Sequence, residues 1–427
     1  MPPATDLAGW LAYLEGLHPK AIDMGLERVD EVRRRLGLNP DFPLITVGGT
    51  NGKGSTCAYL EAMLGHAGYR VGCYTSPHLR RYNERVRIAG REVQDADLVT
   101  AFEAVEAARG DTSLTYFEFG TLAAVWLFQR QPVDVAVLEV GLGGRLDAVN
   151  AFDADCAVVT AIDLDHQEYL GHTREAIGRE KAGILRAGRP AVCSDPNPPE
   201  SLLRHAADIG AQLLRLGAEI RIRAQDAAWE CRLPEQVFAA LPRPAMPGAF
   251  QLHNAAGAIA ALHSLRERLP VPVAAMRRGL AEARQPGRAQ LMTGAPRILL
   301  DVAHNPQAAR ALAANLTDLP PTGRRIAVLA MLADKDVAGV VRAMGEGIHQ
   351  WHVAGLAGPR GMTDEALRAR LREAGVEAEA HADVAAALHA ACAKAEPTDI
   401  ICCFGSFYTV AEALRALDDG QASCNES

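Results

Sequence analysis

Apolar residues along this chain recur in two rhythms, and their alternation predicts the architecture. One rhythm is the short, near-continuous run of β-branched and aliphatic residues: Leu44–Val47, Val71–Tyr74, Val133–Val140, Ala157–Ile162 and Ala191–Cys193. The other is helical spacing, as in Cys57–Leu64 and in the stretch from Leu252, whose Ala255, Ala256, Gly257, Ala258 and Ala260 suit close packing on a sheet. A strand that is apolar at almost every position has both faces covered, which points to a parallel sheet between helical layers. A second series follows, Arg297–Val302, Arg325–Ala330, His349–Val353 and Ile400–Phe404, each trailed by helical pattern. Between the two series, Arg284–Gln290 is broken by Pro286 and Gly287 and reads as a linker.

The first strand empties into Gly48-Gly-Thr-Asn-Gly-Lys-Gly-Ser-Thr56 and then a helix. Strand, glycine turn, lysine, hydroxyl and helix form a phosphate cradle: backbone N–H groups approach the oxygens, the helix N-terminus adds partial positive charge, and Lys53 adds a full one. The match to the common phosphate-loop pattern is incomplete. Val47 stands where that pattern has Gly, and Gly54 separates Lys53 from Ser55. The prediction is an α/β protein with a large P-loop ATPase-like parallel-sheet domain over 1–285. A linker over 286–296 and a smaller Rossmann-like domain over 297–427 follow, with a ligand cleft between the domains.

Composition narrows the classes. The chain has 427 residues, 49% of them hydrophobic and 22% charged, with net charge −8 and pI near 5.9. That balance argues against a protein built to bind nucleic acid or an anionic membrane surface. No apolar run approaches the roughly 20 residues that span a bilayer. The N-terminus, with Asp6 and Glu15 in an amphipathic pattern, does not read as a signal peptide. Nine scattered cysteines without a CxxC pair, Cys402 and Cys403 among them in an apolar run, fit a reduced, cytoplasmic chain with buried thiols.

Polar residues at strand ends supply the candidate chemistry, because α/β sheets bind ligands at the carboxyl edge. Glu139 ends one core run and precedes Gly141, Gly143 and Gly144; it is either a Mg²⁺ ligand or a turn cap. His166, in Asp163-Leu-Asp-His166, is either a ligand or a structural imidazole, and nitrogen is an unusual donor for Mg²⁺. Lys181, on the following helix, reads by default as solvated. In the second domain, Asp301 is a candidate acceptor for ribose hydroxyls and His304 a candidate phosphate contact, or else the segment is simply a helix-capping turn at Asn305 before Pro306.

Taken in order, these segments resemble one family. Residues 17–29, 49–56, 74–78, 114–120, 139–147, 165–166, 180–183, 286–288, 301–306 and 405–408 match the motifs of bacterial folylpolyglutamate synthases, specifically of the bifunctional dihydrofolate synthase/folylpolyglutamate synthase group among the Mur-type amide ligases. The region from about 196 to 243 matches poorly. Gly-Thr-Asn-Gly-Lys-Gly-Ser is that family's own loop variant. The resemblance implies that Thr50, Asn51, Gly52 and Lys53 hold ATP phosphates, with Asn254, Arg288 and Asp301 as further ATP contacts. It implies Ser76, Glu139 and His166 as Mg²⁺ ligands at two sites, and a carbamate on Lys181; K⁺ is an additional candidate cofactor. The pterin substrate is implied at Ala21, Ile22 and Asp23, at Thr115, Tyr116, Phe117 and Glu118, and at Leu146, Asp147 and Ala148. His304 is assigned to the phosphates or the incoming glutamate.

The implied activity is ATP-dependent addition of L-glutamate to 7,8-dihydropteroate and to reduced folates through an acyl phosphate, with domain closure excluding water. The alternative is folylpolyglutamate synthesis alone. A scaffold protein on the same fold is disfavoured because Lys53, Ser76, Glu139, His166 and Lys181 are all present. A cell-wall ligase is disfavoured because Gly54 follows Lys53. The family further implies a monomer with small-molecule substrates only.

Overall fold

The computed structural model describes residues 4–319 and 323–420. The chain divides into two compact units, Met1–Ala245 with Gln251–Arg284, and Met246–Phe250 with Gln285–Ser427.

The first unit is built on an eight-stranded sheet. Its strands are β1 (Leu44–Gly48), β2 (Val71–Tyr74), β3 (Val86–Ile88), β4 (Arg91–Glu92), β5 (Val135–Glu139), β6 (Cys156–Val159), β7 (Pro190–Cys193) and β8 (Gln212–Arg215), in the order β4-β3-β2-β5-β1-β6-β7-β8. Pairing is parallel from β2 through β8, and only β3 and β4 run antiparallel at one edge. The runs read as buried on both faces are so: β1, β2, β5 and β6 are buried at every position. Helices Lys53–His66 and Tyr116–Arg130 bury long stretches against the sheet. Trp10, Phe102, Phe119 and Phe128 fill the core, fully buried.

The poorly matching region contains a separate antiparallel sheet, β9 (Arg221–Ala224), β10 (Ala228–Arg232) and β11 (Val237–Pro242). It escaped the strand pattern because little of it is apolar and buried; in β9 no residue is buried.

The second unit has a six-stranded sheet: β12 (Gln290–Met292), β13 (Arg297–Asp301), β14 (Arg325–Leu329), β15 (Gln350–Ala354), β16 (Glu379–His381) and β17 (Ile400–Phe404), ordered β12-β13-β17-β14-β15-β16. All pairs are parallel except β12 with β13. β12 lies inside the stretch read as a linker, where it pairs as a short edge strand. Its Leu291 faces solvent, so its three residues give no buried run to read. The α/β class and the two parallel-sheet units are as the pattern predicts. Among the described residues no helix is long and apolar enough to cross a membrane.

Candidate active site

The site in the first unit is organised by β1, whose neighbours are β5 on one side and β6 on the other. Its register sets Val47 beside Glu139 and Gly48 beside Val159, so the loop after β1 meets the ends of both neighbouring strands. That loop is fastened to the chain after β6. Thr50 N–H donates to Ala161 O at 2.7 Å, and the Thr50 hydroxyl donates to Asp163 O at 3.0 Å and accepts from Asp163 N–H at 3.1 Å. Thr160 Oγ1 donates to Asn51 O at 2.8 Å. Two glycines are required here. Gly49 (φ 147°) leaves no room for a Cβ beside Thr160, and Gly52 (φ 96°) abuts the Asn254 carboxamide.

Gly52 caps the helix Lys53–His66 in the left-handed conformation without a side-chain cap, and a helix N-terminus of this kind suits an anion. Lys53 Nζ folds over the loop and donates to Gly49 O (3.0 Å) and Thr50 O (3.2 Å). Asn254 is held in place by Gln251. Asn254 Nδ2 donates to Gln251 Oε1 (3.1 Å), which also accepts from Tyr59 OH (3.2 Å), while Gln251 Nε2 donates to Ser55 Oγ (3.3 Å). Residue spacing assigns no role to Gln251, a buried amide in an alanine-rich helix.

Glu139 ends β5 almost fully buried and accepts from the Ser76 backbone N–H at 3.1 Å. A carboxylate and a hydroxyl residue thus meet at adjacent strand ends, and such oxygen donors suit Mg²⁺. His166 follows the loop that Thr50 fastens and caps a short helix at φ 48°, ψ 43°; its backbone N–H donates to Asp165 Oδ1.

Lys181 is buried rather than solvated. Burial, aided by the positive charge of Lys53, pulls its amine down to about 7, against the opposing pull of Asp165 and Asp147. Asp147 is the converse case: burial pushes its carboxyl up to about 7 although the Leu142 and Val149 N–H groups donate to it. The glycine-rich loop brings these two together, because Gly144 (φ 159°) packs against the Lys181 backbone where a side chain would collide. Arg145 N–H donates to Glu180 O at 2.8 Å.

Three separate segments assemble beside this loop. Thr115 and Glu118 form a reciprocal capping box at the start of the helix Tyr116–Arg130. The Phe117 ring lies against Gly141 and 5.8 Å from Tyr74, and Tyr116 packs edge-on to Tyr82. Gly143 faces Met24 and Leu170. Arg28, to which the sequence assigned no role, ties the loop Ala21–Asp23 to Glu118. It donates to Asp23 Oδ2 (2.8 Å), Asp23 O (2.7 Å) and Glu118 Oε1 (3.0 Å). Its signal was present, an arginine five residues after Asp23 in a matched segment. Leu146, Asp147 and Ala148 complete the group at a short 3₁₀ turn capped by Asp147.

The remaining candidates lie in the second unit. Asp301 ends β13 buried, accepting from Ala289 N–H and Ala303 N–H at 2.7 Å each. Burial raises its carboxyl above the ordinary range, against the Arg288 charge. The Phe407 ring gathers two side chains, with the Arg288 guanidinium 5.5 Å from its centroid and the His304 ring at 6.5 Å. Asn305 caps the helix Pro306–Asp318 with Pro306 in its first turn, as the capping reading of this segment expects.

The family model of the Mur ligase middle domain matches residues 47–262, and that of the Mur ligase glutamate ligase domain matches residues 287–407. The dihydrofolate synthase/folylpolyglutamate synthase of Escherichia coli (strain K12) is 47% identical over 416 residues, 97% of this chain and 96% of that protein. The structure of E. coli FolC in complex with DHPP and ADP matches with a TM-score of 0.93 at 47% identity, over 98% of this chain and 99% of that one. A bifunctional folylpolyglutamate synthase/dihydrofolate synthase with Mn, AMPPNP and L-glutamate bound gives 0.90 at 46% identity, over 97% and 99%. Matched in sequence and fold from end to end, the chain belongs to the dihydrofolate synthase/folylpolyglutamate synthase family of Mur ligases.

Proposed function

We propose that the protein is an ATP-dependent ligase that joins L-glutamate to 7,8-dihydropteroate and extends reduced folates with further glutamates. The observation that carries this reading is the junction of the glycine loop after β1 with the buried Lys181 and Asp147 side chains and the aromatic, carboxylate-lined group around Phe117 and Glu118.

A carboxylate does not condense with an amine at neutral pH because oxide is not a viable leaving group. The substrate carboxylate therefore attacks the γ-phosphorus of ATP, giving an acyl phosphate and ADP. The glutamate amine then adds to the acyl carbon, phosphate departs from the tetrahedral intermediate, and the amine loses one proton. Thr50, Asn51, Gly52 and Lys53 hold the phosphates, and the Lys53 ammonium counters charge on the transferring group. Asn254, Arg288 and Asp301 contact the nucleotide, Asp301 through the ribose. His304 meets the phosphates or the incoming glutamate.

Ser76, Glu139 and His166 would hold Mg²⁺ at two sites, where bound metal supplies charge neutralisation on the phosphoryl oxygens. Lys181, near neutrality at physiological pH, has a free amine able to add CO₂ and so present a carbamate; K⁺ is a further cofactor on this reading. Ala21, Ile22, Asp23, Thr115, Tyr116, Phe117, Glu118, Leu146, Asp147 and Ala148 bind the pterin portion. Stacking on aromatic rings and hydrogen bonding to carboxylates suit that flat, donor-rich heterocycle. The enzyme works as a cytoplasmic monomer.

The test incubates the purified chain with ATP and L-glutamate and either 7,8-dihydropteroate or tetrahydrofolate, with products read by mass spectrometry. Both glutamylated products are expected, and both vanish in Lys53→Ala. Product from tetrahydrofolate alone would reduce the function to polyglutamylation, and product from neither would overturn the proposal.

A further inference from the structure

A cluster in the second unit takes no part in the ligase chemistry. Parallel pairing of β15 with β16 sets His352 beside Glu379 and Ala354 beside His381. His352 is fully buried, whereas Glu379 is exposed and His381 partly so. His352 Nδ1 lies 2.9 Å from His381 Nε2 and 3.7 Å from Glu379 Oε2. One ligand atom from each residue falls within 4.8 Å of the others. The two rings stack with centroids 5.1 Å apart. Lys394 pairs with the other carboxylate oxygen, Oε1, which leaves Oε2 turned to the imidazoles.

We propose that His352, Glu379 and His381 form a binding site for a divalent transition-metal ion of the zinc class, which clips the edge strand β16 to β15. Two imidazoles and one carboxylate favour zinc over magnesium, which prefers oxygen donors throughout. In a tetrahedral site with metal–nitrogen bonds of about 2.0–2.1 Å, neighbouring ligand atoms stand about 3.3 Å apart. The observed 2.9 and 3.7 Å bracket that value, and the third separation, between His381 and Glu379, is wider but within 4.8 Å, so a swing of the exposed Glu379 carboxylate by about an ångström admits the ion. The fourth position opens to solvent past Glu379 and His381.

Metal entry replaces the hydrogen bond between the two imidazoles, and the donor ring moves that proton to its other nitrogen, so two neutral rings lose no proton overall. β16 has three residues and pairs on one side only. A short edge strand of this kind gains most from a cross-link to its neighbour.

The test uses tag-free full-length protein stripped of metal, with millimolar Mg²⁺ present to fill oxygen-rich sites. Zn²⁺ affinity is read by competition with a chromophoric chelator, and the position of the ion by anomalous scattering at the zinc edge in soaked crystals. A peak among the three side chains is expected, together with a rise in Tm on adding Zn²⁺. His381→Ala lowers the affinity at least about tenfold and abolishes the Tm rise. Lys394→Ala, which releases the competing ion pair, tightens binding, a change that mere destabilisation of the fold does not produce. Zinc density elsewhere only, or the same affinity in parent, His381→Ala and Lys394→Ala, would overturn the proposal.

Discussion

Arg28→Met removes the group that joins two of the segments proposed to bind the pterin while keeping the aliphatic stem. In the intact protein the guanidinium spans Asp23, at both its carboxylate and its carbonyl, and the Glu118 carboxylate. Glu118 has a side-chain exposure of 5% and Asp23 of 26%. Without Arg28 the buried carboxylate keeps its bond from Thr115 N–H but loses its cation. Charged hydrogen bonds of this kind contribute about 1.5–3 kcal/mol, and the more exposed Asp23 end adds up to about 1 kcal/mol. If about 2–3 kcal/mol of this must be supplied by the ligand to reorder Ala21–Asp23, KM for dihydropteroate rises roughly 30- to 160-fold. Steady-state kinetics with each substrate varied in turn measures this, with circular dichroism confirming the fold. KM for ATP stays put, because the phosphate loop is fastened separately by Thr50 and Thr160. Arg28→Lys recovers only part, since one ammonium cannot span both carboxylates. A folded variant with unchanged KM for dihydropteroate, or an equal rise for ATP, would refute the reasoning.

Lys181→Met separates stability from activity. The folded amine titrates near 7 against 10.5 in the unfolded chain, so the folded state binds fewer protons between those values. Stability from this group therefore rises with pH across that window, and the full penalty applies below pH 7. In bicarbonate-free buffer at pH 7, denaturant unfolding should show the Met variant more stable by several kcal/mol, up to about 5, and turnover should be lost. Gly52→Ala forces a side chain into a left-handed position against Asn254; the expected result is a collapse of ATP affinity in calorimetry while dihydropteroate binding survives. Asp147→Asn leaves one of the Leu142 and Val149 N–H groups facing an amide NH₂. Urea melts should register a loss of about 1–3 kcal/mol, and kcat/KM for dihydropteroate should fall with it.

The legible parts of this protein were those where one local rule decides. Continuous apolar runs gave the buried strands β1, β2, β5 and β6, and Gly49 and Gly52 marked the tight loop after β1 where no side chain fits. The strands β9–β11 were not legible, because a half-exposed antiparallel sheet with Arg221, Arg223 and Arg232 carries no continuous apolar run. Burial of Lys181 was equally hidden. On its own helix it reads as a surface lysine, and only the distant loop holding Gly144 and Asp147 closes over it. Arg28 and Gln251 act by bridging segments far apart in sequence, which residue spacing cannot encode. The cluster at His352 depends on strand register in the same way.

Activation of a substrate carboxylate by ATP is the central step of the proposed reaction. It is tested most directly with 7,8-dihydropteroate labelled with ¹⁸O in its carboxyl group, incubated with ATP, L-glutamate and the enzyme. Transfer through an acyl phosphate delivers one ¹⁸O to each inorganic phosphate released alongside ADP and dihydrofolate. Unlabelled phosphate, or AMP as the nucleotide product, would contradict it.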